Sequence, residues 1–571
     1  MSTEQRISFL GYIFTVRKPI VATGGDDIVS DLNKLFKQAL GDDWYVEPIN
    51  SYLEVFRARP TVIDNRDYGS ENVKKRWEER IKVLDADKED LIDNDIIPDF
   101  QYYEESGFPN PCRQDTNLET DWVLDNMKVK EAWSLKSPSG KSQGEGIRVG
   151  HIDSGYSAHY ELFDNQNFKY RLGKRDNIFG EKDWDVIFAD TGPTGGMLGD
   201  TKGHGTGTAS AIIGGSQKRS RIAGIAPKAE LVPIASSDWV LVKPSNLITG
   251  IEHAIATNCH VVSMSIGWLA SSPAVFIADN ILRKAVYEYG IIPVAAAGQP
   301  NSIFQAIGTF SYPGRSEYVI ACSAHGPEGA PWESNIKGKH VKVSAPGESV
   351  FSAKYSFDSN NGTQKAPVGL HGIEQSCGTS FGTAHMAGIA ANWLSFCGRD
   401  KLIEKYQMNL YQTFIYDIYH HGLDKSKDTK LNKPWSEHEE KGNGWGRIDL
   451  YSLLKSRENI DDWPELEEIL TFYNEITLEN TLERFIEDVI NKFVPYKISL
   501  EILKIIFRLV DDIATLVEAI MAILFFVDGG AALISKIENE KDATKRKGYI
   551  LQLKEALQPH VSKRLLDSIV V

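Results

Sequence analysis

Ile147-Arg148-Val149-Gly150-His151-Ile152-Asp153-Ser154-Gly155 is the stretch from which the fold follows. Ile147 to Ile152 reads as a short buried strand, closed by a turn at Ser154-Gly155. Asp153 then stands at the carboxyl end of a strand, where open α/β sheets bind their ligands. Two later stretches match it in chemistry. His204 stands in Gly203-His204-Gly205-Thr206-Gly207-Thr208-Ala209, and Ser380 in Gly378-Thr379-Ser380-Phe381-Gly382-Thr383-Ala384-His385-Met386-Ala387-Gly388. Phe381 to Leu394 reads as a buried helix rich in Ala, which puts Ser380 at a helix N-terminus, in a positive local potential. Gly203 and Gly205 bracket His204 and let backbone approach a substrate closely.

Each motif alone is an ordinary one: Asp-Ser-Gly a turn, Gly-His-Gly a loop, Gly-Thr-Ser a helix cap. Together they supply what a serine nucleophile needs. A hydroxyl is a poor nucleophile at neutral pH, so an imidazole must take its proton as it attacks and return it to the leaving group. A carboxylate holds that imidazole in the right tautomer. Ser380, His204 and Asp153 are the candidates for these three roles.

In the order Asp, His, Ser, the motifs resemble those of the subtilisin-like serine peptidases, the subtilase family. The likeness extends to Gly224-Ile225-Ala226-Pro227, Val261 to Gly267, Ile292 to Gly298, Tyr312-Pro313-Gly314, Val343 to Gly347 and Gly442 to Ile448, so it runs from about Asp121 to about Leu454. The resemblance implies an α/β fold with a subtilisin-like, doubly wound, mostly parallel sheet. It implies a serine endopeptidase that hydrolyses peptide bonds through an acyl-enzyme. Ser265, Ile266 and Gly267 would pair with extended substrate backbone.

Three positions depart from the family pattern. Gln299 stands where an Asn side chain usually serves the oxyanion hole, followed by Pro300 and Asn301. Gln299 fills the role with a longer stem, Asn301 replaces it, or the site is weak until something rearranges it. Phe381-Gly382 replaces Met-Ala, which alters packing beneath the nucleophile. Ala384 replaces Pro, a mild change near a helix start.

At 571 residues, with 42% hydrophobic content, the chain has room for several domains and a sizeable core. A formal net charge of -15 argues against nucleic acid as the main partner; the resemblance implies a protein or peptide substrate. Cys112, Cys259, Cys322, Cys377 and Cys397 are odd in number and include no Cys-x-x-Cys pair, so no disulfide framework is expected. Cys377, three residues before Ser380, is expected as a buried thiol. The N-terminal residues carry no basic region followed by an apolar run, which points to a cytoplasmic location.

The expected organisation has four parts. Residues 1–105 form a small two-layer α+β domain; the resemblance implies a propeptide, and a permanent accessory domain fits equally. Residues 106–120 form an exposed linker, 121–456 the peptidase domain, and 457–571 an all-helical bundle open to a regulatory partner. Within that bundle, Ile513 to Val527 is apolar but contains Glu518. A membrane-spanning helix needs ~20 apolar residues, so no span is expected. No cofactor is required by the chemistry. The resemblance allows a structural calcium, for which Asp185, Asp190 and Asp200 are candidates only through being acidic and near the His204 segment, and no calcium-loop motif is present. His385 and His159 are expected to be structural. The competing expectation is a subtilase-fold binding protein with weak turnover, acting through its C-terminal helices.

Overall fold

The structure, a computed structural model, describes residues 6–16, 26–50, 55–60, 97–103, 112, 115–155, 159–163, 203–215, 222–236, 244–269, 274–299, 311–354 and 372–477, with five more between 545 and 552. The chain divides into two compact units, Met1–Thr477 and Leu478–Val571. The few described residues of the second unit are helical. The apolar run from Ile513 to Val527 lies outside the described residues, as does most of the bundle expected around it.

The first unit opens with an antiparallel sheet. Its strands are β1 (Arg6–Thr15), β2 (Trp44–Asn50), β3 (Val55–Pro60) and β4 (Ile97–Tyr103), in the order β2-β3-β1-β4. Helix α1 (Asp26–Leu40) covers one face. Alternation along β1 sorts its side chains. Tyr12, Phe14 and Val16 join Leu32, Leu35 and Phe36 of α1 in one buried cluster. Ile13, between them, belongs instead to a cluster of the larger domain.

That larger domain is built on an eight-stranded sheet. Its strands are β5 (Arg148–Asp153), β6 (Glu230–Ala235), β7 (Val261–Met264), β9 (Ile292–Ala296), β11 (Ile320–His325), β12 (Val341–Pro346), β15 (Leu423–Asp424) and β16 (Arg447–Ile448). The order is β15-β16-β12-β11-β9-β7-β5-β6. All pairs are parallel except β15 with β16. β7, β9, β11 and β12 are buried at every position, as parallel strands covered on both faces must be. Two small ladders flank the sheet: β8 (Trp268–Leu269) with β10 (Ser311–Tyr312), and β13 (Val350–Lys354) with β14 (Gly372–Ser376).

Four helices position the site. They are α2 (His204–Ile213), α3 (Pro244–Ala256), α4 (Ala274–Tyr289) and α5 (Thr379–Cys397). α5 is buried along its whole length apart from Ser380, because its residues are apolar or small on every side. Gly388 lets it approach the loop before β6: a Cβ there would meet Ile225 Cβ at 2.6 Å. Beyond β5 the chain moves outward to β6, then returns to β7 on the other side of β5. The connections after β5 and β7 therefore diverge, which opens a crevice at their carboxyl ends.

Two expected boundaries shift. The stretch expected as an exposed linker, 106–120, is anchored where it is described. Cys112 forms a disulfide with Cys377, and Asp115 exchanges two backbone hydrogen bonds with the Gln375 side chain. Cys377 is thus no free thiol; spacing along the chain cannot reveal a pair 265 residues apart. Cys259, Cys322 and Cys397 are free and buried. At the other end, the helix at 466–477 belongs to the first unit, since Trp463, Ile469 and Tyr473 are buried in its main cluster. Arg457, 1% exposed, donates to Asp417, which also accepts from Trp393 Nε1 of α5 at 2.7 Å. Among the described residues no helix is long and apolar enough to cross a membrane.

Candidate active site

Asp153 and His204 meet at the crevice beside β5. β5 carries Asp153 to its carboxyl end, and α2 begins with His204. Asp153 Oδ1 lies 2.6 Å from His204 Nδ1. Gly203 makes this start, at φ +89°, a backbone state that suits glycine. Gly205 serves a different purpose from the one expected. A Cβ there would lie 2.0 Å from the Gly155 carbonyl oxygen, so this glycine lets α2 pack on the turn after β5 rather than admit a substrate.

The Asp153 carboxylate is fully buried and held at both oxygens. Ser154 N–H donates to Oδ1 at 2.7 Å, and Thr208 Oγ1 to Oδ2 at 3.0 Å. Ser154 Oγ in turn accepts from Gly205 N–H at 3.0 Å. Burial alone would push the Asp153 pKa up. His204, the Ser154 N–H and His151 outweigh it and hold the carboxyl down at about 2. The group is therefore charged across the neutral range, facing His204 Nδ1.

Ser380 stands in the first turn of α5 and is half-buried, the least covered residue of that helix. Its Oγ donates to the Ser265 carbonyl at 3.3 Å, while Ser265 Oγ donates to the Ser380 carbonyl at 2.9 Å. The end of β7 and the start of α5 are thus cross-tied. Ser265, Ile266 and Gly267 are buried, and the backbone that follows them pairs with β10. Gly382 lets the start of α5 close onto β11, since a Cβ there would lie 2.7 Å from the Ser323 carbonyl oxygen. Gln299 sits beside the same turn. Its Oε1 is the nearest atom, at 3.3 Å, to where a Cβ on Gly378 would stand. Among the described residues this buried oxygen has no hydrogen-bond partner. Asn301 lies outside the described residues.

The subtilase family model matches residues 144–414. The chain is 30% identical over 266 residues to subtilisin of Bacillus pumilus, covering 46% of this chain and 82% of that one. The chain belongs to the subtilase family. It is also 30% identical over 266 residues to subtilisin E of Bacillus subtilis, covering 46% of this chain and 59% of that one. To the thermostable alkaline protease of Halalkalibacterium halodurans it is 29% identical over 249 residues, covering 43% and 56%. This subtilase therefore spans a little over half the length of those two relatives.

The remaining candidates separate clearly. His385 is buried, with Nδ1 2.8 Å from the Pro346 carbonyl oxygen, and burial lowers its pKa to about 4. His159 Nδ1 accepts from Glu161 N–H at 3.2 Å. Each has a ring nitrogen tied to backbone. Asp185, Asp190 and Asp200 lie outside the described residues. Among the described residues no group of three or more His, Cys, Asp or Glu side chains gathers to hold a metal ion. Sequence reasoning passed over Ser154 and Thr208, the two donors that fix Asp153. Thr208 was legible in principle: four residues after His204 on a helix, it shares that residue's face.

Proposed function

We propose that this subtilase is a serine endopeptidase whose working residues are Ser380, His204 and Asp153. The observation that carries the proposal is the buried, charged Asp153 carboxylate bonded at 2.6 Å to His204 Nδ1, with Ser380 at the mouth of a buried helix. That bond places a proton on Nδ1 and leaves Nε2 as the base. Ser380 Oγ, held among the described residues by a long bond to Ser265, turns to His204, gives up its proton and attacks the scissile carbonyl. His204 then protonates the leaving amine. Asp153 orients the ring and offsets its charge without itself taking the proton.

The oxyanion falls to Ser380 N–H and the Gln299 amide. The orphaned Oε1 beside Gly378 supports this assignment, because rotating the amide by half a turn presents Nε2 at the same place. Substrate backbone runs along Ser265-Ile266-Gly267. We assign the N-terminal layer a restraining role. It is supported by Ile13 and Val55, which share a buried cluster with Leu247, Ile248 and Ile251 of α3, and by Arg57, which donates to Ser245 Oγ at 3.2 Å. The Cys112–Cys377 bond supports an oxidising compartment in place of the cytoplasmic location expected from the N-terminal residues.

The test compares the full-length chain with Ser380→Ala on a fluorogenic casein. Hydrolysis by wild type and none by Ser380→Ala is the expected result. Equal hydrolysis by both, or none by wild type after limited proteolysis of the N-terminal layer, would contradict the assignment and favour a binding protein.

A further inference from the structure

A second imidazole lies behind the Asp153–His204 pair. His151 precedes Asp153 by two residues on β5, so both side chains leave the same face of the sheet. The ring is fully buried. Its Nε2 lies 3.1 Å from Thr208 Oγ1, which lies 3.0 Å from Asp153 Oδ2. The direct approach of Nε2 to Oδ2, at 3.5 Å, is too long for a good hydrogen bond. Thr208 has a single hydroxyl hydrogen, and a carboxylate is a stronger acceptor than a neutral ring nitrogen or a carbonyl. The hydrogen therefore goes to Asp153, and His151 Nε2–H donates to Thr208. The result is a directed chain from ring to hydroxyl to carboxylate.

Burial lowers the His151 pKa to about 4, against the pull of Asp153 and with a further push from His204. Among the described residues, those two are the titratable groups that act on it. Its register neighbours are Pro233 on β6 and Ser263 on β7, neither of which titrates near neutrality. α5 also packs against β5, and its histidine, His385, is bonded to the Pro346 carbonyl. α3 meets the opposite face, where Gly250 abuts Ile152. His151 is thus neutral and has one N–H to give over the working range.

We propose that His151 is a positioning residue, whose neutral imidazole holds the Thr208 hydroxyl on Asp153 Oδ2 and so turns Oδ1 toward His204. The proposal rests on the peptidase assignment above. It adds a fourth and a fifth residue to the constellation, one from β5 and one from α2. A buried histidine costs stability unless it is bonded, and its bond to Thr208 leads to the catalytic carboxylate.

The test uses three variants of the full chain. His151→Val removes the donor, His151→Gln keeps an N–H, and Thr208→Val cuts the link from the other side. For His151→Val, kcat should fall about tenfold at unchanged KM, as for an interaction felt in the transition state. The acid limb of kcat/KM should move about half a unit lower, since a carboxylate that swings away no longer raises the His204 pKa. His151→Gln should recover most of both effects. Thr208→Val should reproduce them, and the double variant should be no worse than either single, because the two residues act in one chain.

A titration of ¹⁵N-histidine-labelled protein by NMR reads the His204 pKa without turnover. If peptide hydrolysis is absent while His204 still titrates lower in His151→Val, the peptidase assignment fails and the positioning role stands. If the His204 titration is the same in wild type, His151→Val and Thr208→Val, the proposal is overturned, even where melting temperatures fall. Should His151→Val not fold, Thr208→Val and His151→Gln carry the same comparison.

Discussion

Around Asp153 the chain is buried on every side, whereas in the N-terminal sheet β1 sends alternate residues to two different partners. The first arrangement comes from parallel strands under helices on both faces, with α5 buried nearly all round. The second comes from an antiparallel sheet whose Tyr12, Phe14 and Val16 face α1, while Ile13 joins the cluster around α3. The difference teaches where function can be altered without loss of structure. A buried polar group in the core has no water to fall back on, so removing its partner is costly. A residue at the seam between the layers instead sets how firmly one holds to the other.

The comparison breaks most sharply at the site. His204→Ala or Ser380→Ala should reduce kcat by about 10⁴-fold or more with little change in melting temperature, measured on a peptide substrate after circular dichroism confirms the fold. Arg457→Ala should do the reverse. It strands the buried Asp417 carboxylate and should lower stability by about 3–5 kcal/mol with rates retained at room temperature, read by urea unfolding. Gln299→Ala should lower kcat by about 10²-fold with KM held, if its amide is an oxyanion donor. At the seam, Arg57→Ala removes the bond to Ser245 and should open the N-terminal layer roughly tenfold more often, read by hydrogen exchange along α3.

Acid should sharpen the contrast by pH. Burial holds His151, His260 and His385 at about 4, below the value of an unfolded histidine. Between about 6.5 and 4 the unfolded chain binds more protons at these rings, so stability falls with pH there, by about 1.4 kcal/mol per unit for each ring fully engaged. Asp153 acts later. Its depressed pKa contributes stability that is complete above about 4. That contribution is lost as pH falls through about 2. Melting temperatures from pH 8 to 3 should therefore decline before the ordinary carboxylates titrate, and His385→Gln should flatten that decline.

Much of the core was legible because its signals are local. The run ending at Asp153 is one strand, and Ser380 precedes one long helix, so each motif declares its own element. The contacts that join elements stayed hidden. The Cys112–Cys377 bond spans 265 residues, and Asp115 meets Gln375 across a similar gap. Thr208 touches Asp153 only because α2 lies on β5, and His151 looked like one residue of an apolar strand. The helix at 466–477 looked like part of a separate extension, since its composition resembles that of residues 478–571; only its buried Ile469 and Tyr473 assign it to the first unit. Gln299 was singled out by sequence, but its place beside Gly378 is a fact of packing.

The central claim is that Ser380 is activated through His204 and Asp153. Labelling with a fluorophosphonate probe and weighing the intact chain tests it directly. The account expects one adduct on wild type, none on Ser380→Ala, and labelling of His204→Ala slowed by orders of magnitude. Equal labelling of wild type and His204→Ala, or an adduct that persists in Ser380→Ala, would contradict it.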